Sequence, residues 1–227
     1  MARMRRMGVK IRRRPTDAGW LAAGSGIVLL TASAIDGNSA TDAEVAVFRL
    51  VNDAPDALFY VLWVPMQFGT FVAVPVTAVG AFIARRPRLA IEAAAAGTVA
   101  YFLARSVKLV WVRLRPPIFV SDVHLRHVPR TGYGFVSGHA AVSASLAFVL
   151  WAFLPKRWRW LPVALSGVVG LGRMYVGGHM PLDVLGGWGL GTAVGAVVTF
   201  AGGVPLRKGT SGASSSTSGS AQLASSW

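Results

Sequence analysis

The sequence predicts an all-α fold, an integral membrane bundle of six transmembrane helices. Three observations carry that prediction. The 227 residues are 53% hydrophobic and only 14% charged, with a mean hydropathy of +0.52, whereas charged residues supply about a quarter of an ordinary soluble domain. Six apolar runs stand out, Ala18–Ile35, Ala57–Ala84, Leu89–Val110, Ala140–Leu154, Leu161–Val176 and Leu182–Ala201, each near the roughly 20 residues that a spanning helix needs once its flanks are added. The basic residues also segregate. Of 23 Lys and Arg, seven lie in the N-terminal segment, three in Arg85–Arg88, three in Lys156–Arg159 and two at Arg207 and Lys208. All of these fall at one set of alternating membrane ends, which the positive-inside rule makes cytoplasmic. The net charge of +14 therefore reports topology and contact with anionic lipid, and argues against a nucleic-acid partner. Trp20, Trp158 and Trp160 suit an interfacial aromatic belt on the same side. Cysteine is absent, which excludes disulfides and thiolate metal sites.

Residues 1–17 form a basic, cytoplasmic N-terminal segment. Ala32-Ser33-Ala34 resembles a signal cleavage site, but the 18-residue run before it is longer than a secretory core and favours an uncleaved first helix. The outer loop Asp36–Asp56 is acidic. Its Val45–Val51 portion suits a short interfacial helix, and nothing in it suggests chemistry. Helix two, Ala57–Ala84, holds Pro65 and Pro75 and is long enough to tilt or kink. Helix three opens with Glu92 and the small residues Ala93–Ala96, which permit close helix approach. It turns basic at its outer end, with Arg105, Lys108, Arg113 and Arg115. The outer loop Pro116–Val136 carries His124, Arg126, His127 and Arg130, and Ser137-Gly138-His139 then starts helix four. Helix six has glycine at 187, 191 and 195, a packing face. The transmembrane domain is expected to span 18–207, with a Ser- and Gly-rich disordered cytoplasmic tail over 208–227. Both termini are expected in the cytoplasm, with the chain multi-pass in the cell (inner or plasma) membrane.

Topology concentrates the unusual residues. Lys108 and Arg115 end helix three, Ser137, Gly138 and His139 start helix four, and Arg173, His179 and Asp183 join helices five and six. Whole membrane returns separate these stretches, so all three meet on one face, opposite the cytoplasmic ends. Of the eight cations outside the cytoplasmic group, all but Arg49 fall on or beside these stretches. Charge and imidazole beside hydrocarbon mark a functional site by default, and a basic pocket asks for an anion. His179 and Asp183 are four residues apart, on one face if the turn is helical. The carboxylate can then accept a hydrogen bond from one ring nitrogen and leave the other as nucleophile or base. Two histidines ringed by cations suit phosphoryl transfer, one attacking phosphorus and the other protonating the leaving oxygen. The amides at the helix start around Ser137 and Gly138 add neutral donors. Arg105, one turn before Lys108, is a possible additional phosphate contact. His124 and His127 suit loop roles, Tyr133 a turn and Tyr175 packing.

These residues resemble the type 2 phosphatidic acid phosphatase (PAP2) superfamily, in its integral-membrane lipid phosphatase branch. The motifs Lys-x6-Arg-Pro, Pro-Ser-Gly-His and Ser-Arg-x5-His-x3-Asp are answered by Lys108-x6-Arg115-Pro116, Ser137-Gly138-His139 and Arg173-x5-His179-x3-Asp183. Val136 stands where the family usually has Pro, and Gly172 where it usually has Ser. The resemblance implies that His179 forms a phosphohistidine, that Asp183 orients it and that His139 is the acid for the leaving group. Lys108, Arg115, Arg173, Ser137 and Gly138 would bind phosphate. It implies no cofactor and no metal. The expected activity is hydrolysis of a terminal phosphate from a lipid phosphate or diphosphate at an extracytoplasmic site, with polyprenyl diphosphate preferred. Phosphatidic acid, phosphatidylglycerol phosphate, a polyprenyl-phosphate sugar phosphate and a non-catalytic lipid-anion transporter are the alternatives. The oligomeric state is not legible in the sequence.

Overall fold

The computed structural model describes residues 11–12 and 15–205. Most of the basic N-terminal segment (1–17) and the whole Ser- and Gly-rich tail (208–227) lie outside the described residues. Eight α-helices are described: α1 Pro15–Ser33, α2 Asp42–Asn52, α3 Leu58–Met66, α4 Ala73–Ile83, α5 Pro87–Val110, α6 Gly138–Phe153, α7 Trp160–Tyr175 and α8 Pro181–Gly202. The described residues also hold a two-residue antiparallel pairing, Ile11 opposite Pro205 and Arg12 opposite Val204, and an isolated antiparallel bridge between Leu114 and Tyr133.

Local chemistry sets the helix ends. Pro87 and Pro181 occupy first-turn positions of α5 and α8, where a missing N–H costs nothing. Ser137 caps α6 and Thr41 caps α2, the latter accepting the Glu44 N–H at 3.2 Å. Gly203, at φ +68°, stops α8 in a backbone conformation that glycine adopts without strain. The expected second helix is broken in two. α3, extended by a short 3₁₀ turn at Gln67–Gly69, meets α4 at 72° across residues 70–72. The break falls four residues before Pro75, which sits in the first turn of α4; without an N–H, and with a ring that would clash with the Phe71 carbonyl, it opposes a helix continuous through 70–72. A Cβ on Gly69 would stand 2.8 Å from the His139 carbonyl oxygen and 2.7 Å from Val169.

α6 and α8 form the centre of the bundle. A Cβ on Gly187 would fall 2.5 Å from the Ser137 carbonyl oxygen, and one on Gly191 would run into the Ala141 carbonyl oxygen. The regular glycines are therefore where two backbones touch. α1 lies along another face of α8, with Gly24 and Gly189 each against the other's carbonyl oxygen. α5 presents Ala93, Ala96, Ala100 and Ala104 to the core, all essentially inaccessible. The ends are distinct. Thr31 approaches Gly186 near the end of α8 that holds Asp183, whereas Asp17 accepts from Thr199 at 3.3 Å and Glu92 lies against Gly202 at the other. The basic turn Arg85–Arg88 belongs to that second end, with Arg88 paired to Glu92 at 3.0 Å.

Among the described residues, two helices are long and apolar enough to cross a membrane alone, Pro87–Val110 and Pro181–Gly202, and the bent pair Leu58–Gly69 with Ala73–Ile83 makes a third. α6 is apolar but shorter. The outer surface is rich in exposed large apolar residues, among them Leu30, Tyr60, Val61, Ile83 and Leu109, as a lipid-facing exterior requires.

Candidate active site

All three stretches singled out in the sequence meet at one end of the bundle. Lys108, in the last turn of α5, donates from Nζ to the carbonyl oxygens of Tyr133 at 2.8 Å and Gly134 at 2.9 Å. Segments 113–115 and 132–134 run antiparallel, joined by Gly134 N to Arg113 O (2.6 Å) and Arg115 N to Gly132 O (3.1 Å). The Arg115 side chain donates to the Pro129 carbonyl at 3.1 Å. Arg173 lies in the last turn of α7, its guanidinium so close to Gly178 that a Cβ there would stand 2.8 Å from Nη2.

The Ser137 hydroxyl accepts the Ala140 N–H at 3.5 Å, and the Ser137 N–H donates to the Asp183 carbonyl oxygen at 2.8 Å. This second bond ties the start of α6 to the start of α8. Gly138 faces open space, with nothing within 4 Å of where a Cβ would be. His139 follows, half-buried. It lies close enough to Arg173, His179, Arg115 and Lys108 to interact with each electrostatically.

The structure corrects the expected His179–Asp183 geometry. α8 begins at Pro181, so His179 precedes the helix and the pair does not share a helical face. The extended Met180 before α8 still leaves His179 Nδ1 3.7 Å from Asp183 Oδ2, longer than a hydrogen bond. The carboxylate is wholly buried and engaged elsewhere. Oδ2 accepts the Met180 N–H at 2.9 Å, capping α8, and Oδ1 takes Arg113 at 3.2 Å. Gly134 packs directly on this carboxylate, and a Cβ there would lie 2.7 Å from Oδ2.

Sequence reading passed over Arg113 and Glu44. Arg113 is fully buried and pairs with Glu44 of α2 at 3.0 and 2.7 Å. The loop judged free of chemistry thus reaches the site. The one usable signal was Thr41-Asp42-Ala43-Glu44, a capping-box pattern that marked the start of α2 but not its Glu44 partner. The other candidates stand apart. Arg105 is exposed and donates to the Tyr101 hydroxyl at 3.1 Å. Arg126 binds the Asn52, Ala54 and Tyr175 carbonyls and Asp56. His127 stacks on Phe59 with centroids 4.8 Å apart. Tyr175 packs, its hydroxyl on the Pro55 carbonyl at 2.9 Å.

Five buried side-chain polar atoms among the described residues lack a hydrogen-bond partner, and four are here: Nε of Arg113, Arg115 and Arg173, and Nδ1 of His179. Buried donors without partners are rare, and cations around open space at a helix start suit an oxyanion. Burial, then the charges of Lys108, Arg173 and Arg115, push the His179 imidazole well below the ordinary histidine range, against a smaller raising effect of the Gly134 backbone. His179 is thus neutral at neutral pH. A folded-state value below the unfolded one favours the folded protein above pH about 6.5, and that advantage declines as pH falls toward the depressed value. In histidine-labelled protein, NMR is expected to show His179 neutral at pH 6; a midpoint at or above about 6.5 contradicts this environment. Among the described residues no group of three or more His, Cys, Asp or Glu could hold a metal ion.

Gly172, where the family usually has serine, also has a physical counterpart. A Cβ there would meet Met66 Cγ at 2.6 Å and Sδ at 2.7 Å. Gly172→Ser is expected to cost about 1–2 kcal/mol by overpacking. A double-mutant cycle with Met66→Ala, read by thermal unfolding in detergent, is expected to return most of that loss.

Comparison with known proteins agrees with the motifs. The family model described as PAP2 superfamily matches residues 89–202. An undecaprenyl-diphosphatase of Sulfolobus acidocaldarius is 34% identical over 151 residues, 65% of this chain and 73% of the relative. Two crystal structures share the fold at a TM-score of 0.65. One is LpxE of Aquifex aeolicus, at 25% identity over 72% of this chain and 98% of that one. The other is a transmembrane PAP2-type phosphatidylglycerolphosphate phosphatase of Bacillus subtilis, at 23% identity over 79% and 94%. The chain belongs to the PAP2 superfamily and is a phosphatase of that class.

Proposed function

We propose that the chain is an integral-membrane lipid phosphate phosphatase, acting by preference on a polyprenyl diphosphate. The observation that carries this reading is the pair of unpartnered buried guanidinium nitrogens of Arg115 and Arg173 beside the open start of α6. The undecaprenyl-diphosphatase relative supports the choice of lipid. In the first step His179 Nε2, the nitrogen turned away from Asp183, attacks the terminal phosphorus. A P–N bond forms, the P–O bond to the lipid breaks, and His139 gives its proton to the leaving oxygen. Lys108, Arg115 and Arg173 hold the equatorial oxygens, with the Ser137 and Gly138 amides as neutral donors. The charge of the bound phosphate lets the imidazole of His139 carry a proton beside three cations. Nδ1–H of His179 closes onto Asp183 as positive charge develops on the ring; such bonds are often long before substrate arrives. In the second step His139 takes a proton from water, whose oxygen attacks phosphorus. The P–N bond breaks and inorganic phosphate leaves.

The reading extends to architecture. Residues 18–207 form the catalytic domain, six segments cross the membrane, and the site faces the extracytoplasmic side in the cell membrane with both termini inside. The segregation of Arg85–Arg88 and Lys156–Arg159 from the site's own cations supports this orientation. Purified full-length protein is expected to release phosphate from undecaprenyl diphosphate in the presence of chelator, faster than from phosphatidic acid or phosphatidylglycerol phosphate. Activity wholly dependent on added divalent metal contradicts the mechanism, and a preference for either glycerolipid contradicts the substrate. A reporter in the Pro116–Val136 loop is expected outside the cell, and a cytoplasmic signal overturns the sidedness.

A further inference from the structure

Arg113 lies between the two cations of the first motif and belongs to neither. Its guanidinium is fully enclosed and shared by two carboxylates. Nη1 donates to Glu44 Oε1 at 3.0 Å and to Asp183 Oδ1 at 3.2 Å; Nη2 donates to Glu44 Oε2 at 2.7 Å and to the Ser39 carbonyl at 3.0 Å. Glu44 Oε1 also accepts the Leu182 N–H at 3.2 Å, beside Asp183 in the first turn of α8. One cation thus faces two anions. Glu44 takes the shorter, two-pronged share, the stronger arrangement for a guanidinium, and Asp183 takes the longer single contact.

We propose that Glu44, acting through Arg113, is a positioning residue for the reaction, which makes α2 a splint across the active site. By holding most of Arg113, Glu44 keeps that cation from fully neutralising the Asp183 carboxylate, whose remaining charge supports the imidazolium that forms on His179, and fixes its orientation. The inference rests on the phosphatase reading above. The remainder of α2 suits the same task. Glu44, Phe48 and Asn52 recur every four residues on one buried stripe. Phe48 packs among Met174, Met180 and Val184. The Asn52 amide donates to the carbonyls of His124 (3.0 Å), Met174 (3.3 Å) and Tyr175 (3.0 Å), and accepts the His124 N–H at 2.9 Å. One end of the stripe therefore grips the start of α8 and the other the end of α7, on either side of the Arg173–Asp183 junction.

Glu44→Gln keeps the shape and the acceptor for Leu182 but removes the charge, so Arg113 shifts toward Asp183. Its kcat for phosphate release from undecaprenyl diphosphate is expected to fall about ten- to hundredfold, as for other partners that orient a reacting group. KM is expected to stay within about threefold, because Lys108, Arg115 and Arg173 are untouched. Glu44→Asp, which restores the charge, recovers part of the rate. A folded Glu44→Gln protein with wild-type kcat, or with its deficit wholly in KM, overturns the inference. Should that variant not fold, Arg113→Lys decides: lower kcat at unchanged KM supports it and wild-type kcat overturns it. Full activity in His179→Ala overturns the phosphatase mechanism and this inference with it. A His179-dependent wild type beside an unaffected Glu44→Gln protein overturns this inference alone.

Discussion

His179→Ala is expected to lower the rate of phosphate release by about 10⁴-fold or more, the scale seen when a covalent nucleophile is removed. The reason is specific to this site. His179 is nearly inaccessible, flanked by Arg173 and Arg115 with unpartnered Nε atoms, and held neutral by burial and by those charges. No neighbouring side chain can replace it, since Asp183 is occupied by Arg113 and the Met180 N–H and His139 approaches from another helix. Substrate binding is expected to survive, because the cations remain. His179→Ala should therefore hold undecaprenyl diphosphate with near wild-type affinity while releasing no phosphate. A variant that keeps more than about a tenth of the wild-type rate contradicts the assigned role.

The second large effect is structural. Gly191→Val is expected to destabilise the protein by about 3 kcal/mol, the upper end for overpacking, and to abolish activity. At Gly191 the obstruction is backbone, the carbonyl oxygen of Ala141, with the Ala144 side chain at 2.8 Å and the Ser145 nitrogen at 2.9 Å. Neither helix can yield by rotating a side chain. Forcing α8 away from α6 also pulls on the bond from Ser137 N–H to the Asp183 carbonyl, so the two halves of the site part together. Thermal unfolding in detergent measures the loss. Wild-type stability in Gly191→Val contradicts the packing described for the bundle centre.

Much of this was legible because two kinds of signal are local. Hydropathy marks the helical segments, and the i to i+4 glycine spacing marks a packing face on α8 without naming α6 as its partner. The meeting of Lys108, Arg115, His139, Arg173, His179 and Asp183 at one end of the bundle is legible from their spacing and from the order of the apolar segments. Other features depended on contacts between distant segments. Pro75 accounts for the break at 70–72, but no composition around residue 69 encodes the close approach of Gly69 to His139 and Val169. Glu44 sits in an acidic stretch whose neighbours Asp42 and Asp53 are exposed at the surface. Only the arrival of Arg113, sixty-nine residues away, gives it a role. The geometry of His179 was misjudged for a related reason. Four-residue spacing suggested a helical face, whereas Pro181 starts the helix two residues later and the contact is made by a capped turn.

The most direct measurement of the central claim is the chemical identity of the phosphorylated enzyme. Full-length protein mixed with terminally ³²P-labelled undecaprenyl diphosphate, quenched in base within the first turnover and digested, is expected to carry label on the peptide containing His179. The linkage should be stable in alkali and lost in acid, as a phosphorus–nitrogen bond is, and label should be absent from His179→Ala. Label on another residue, or turnover with no label at His179 at any time before steady state, contradicts the account.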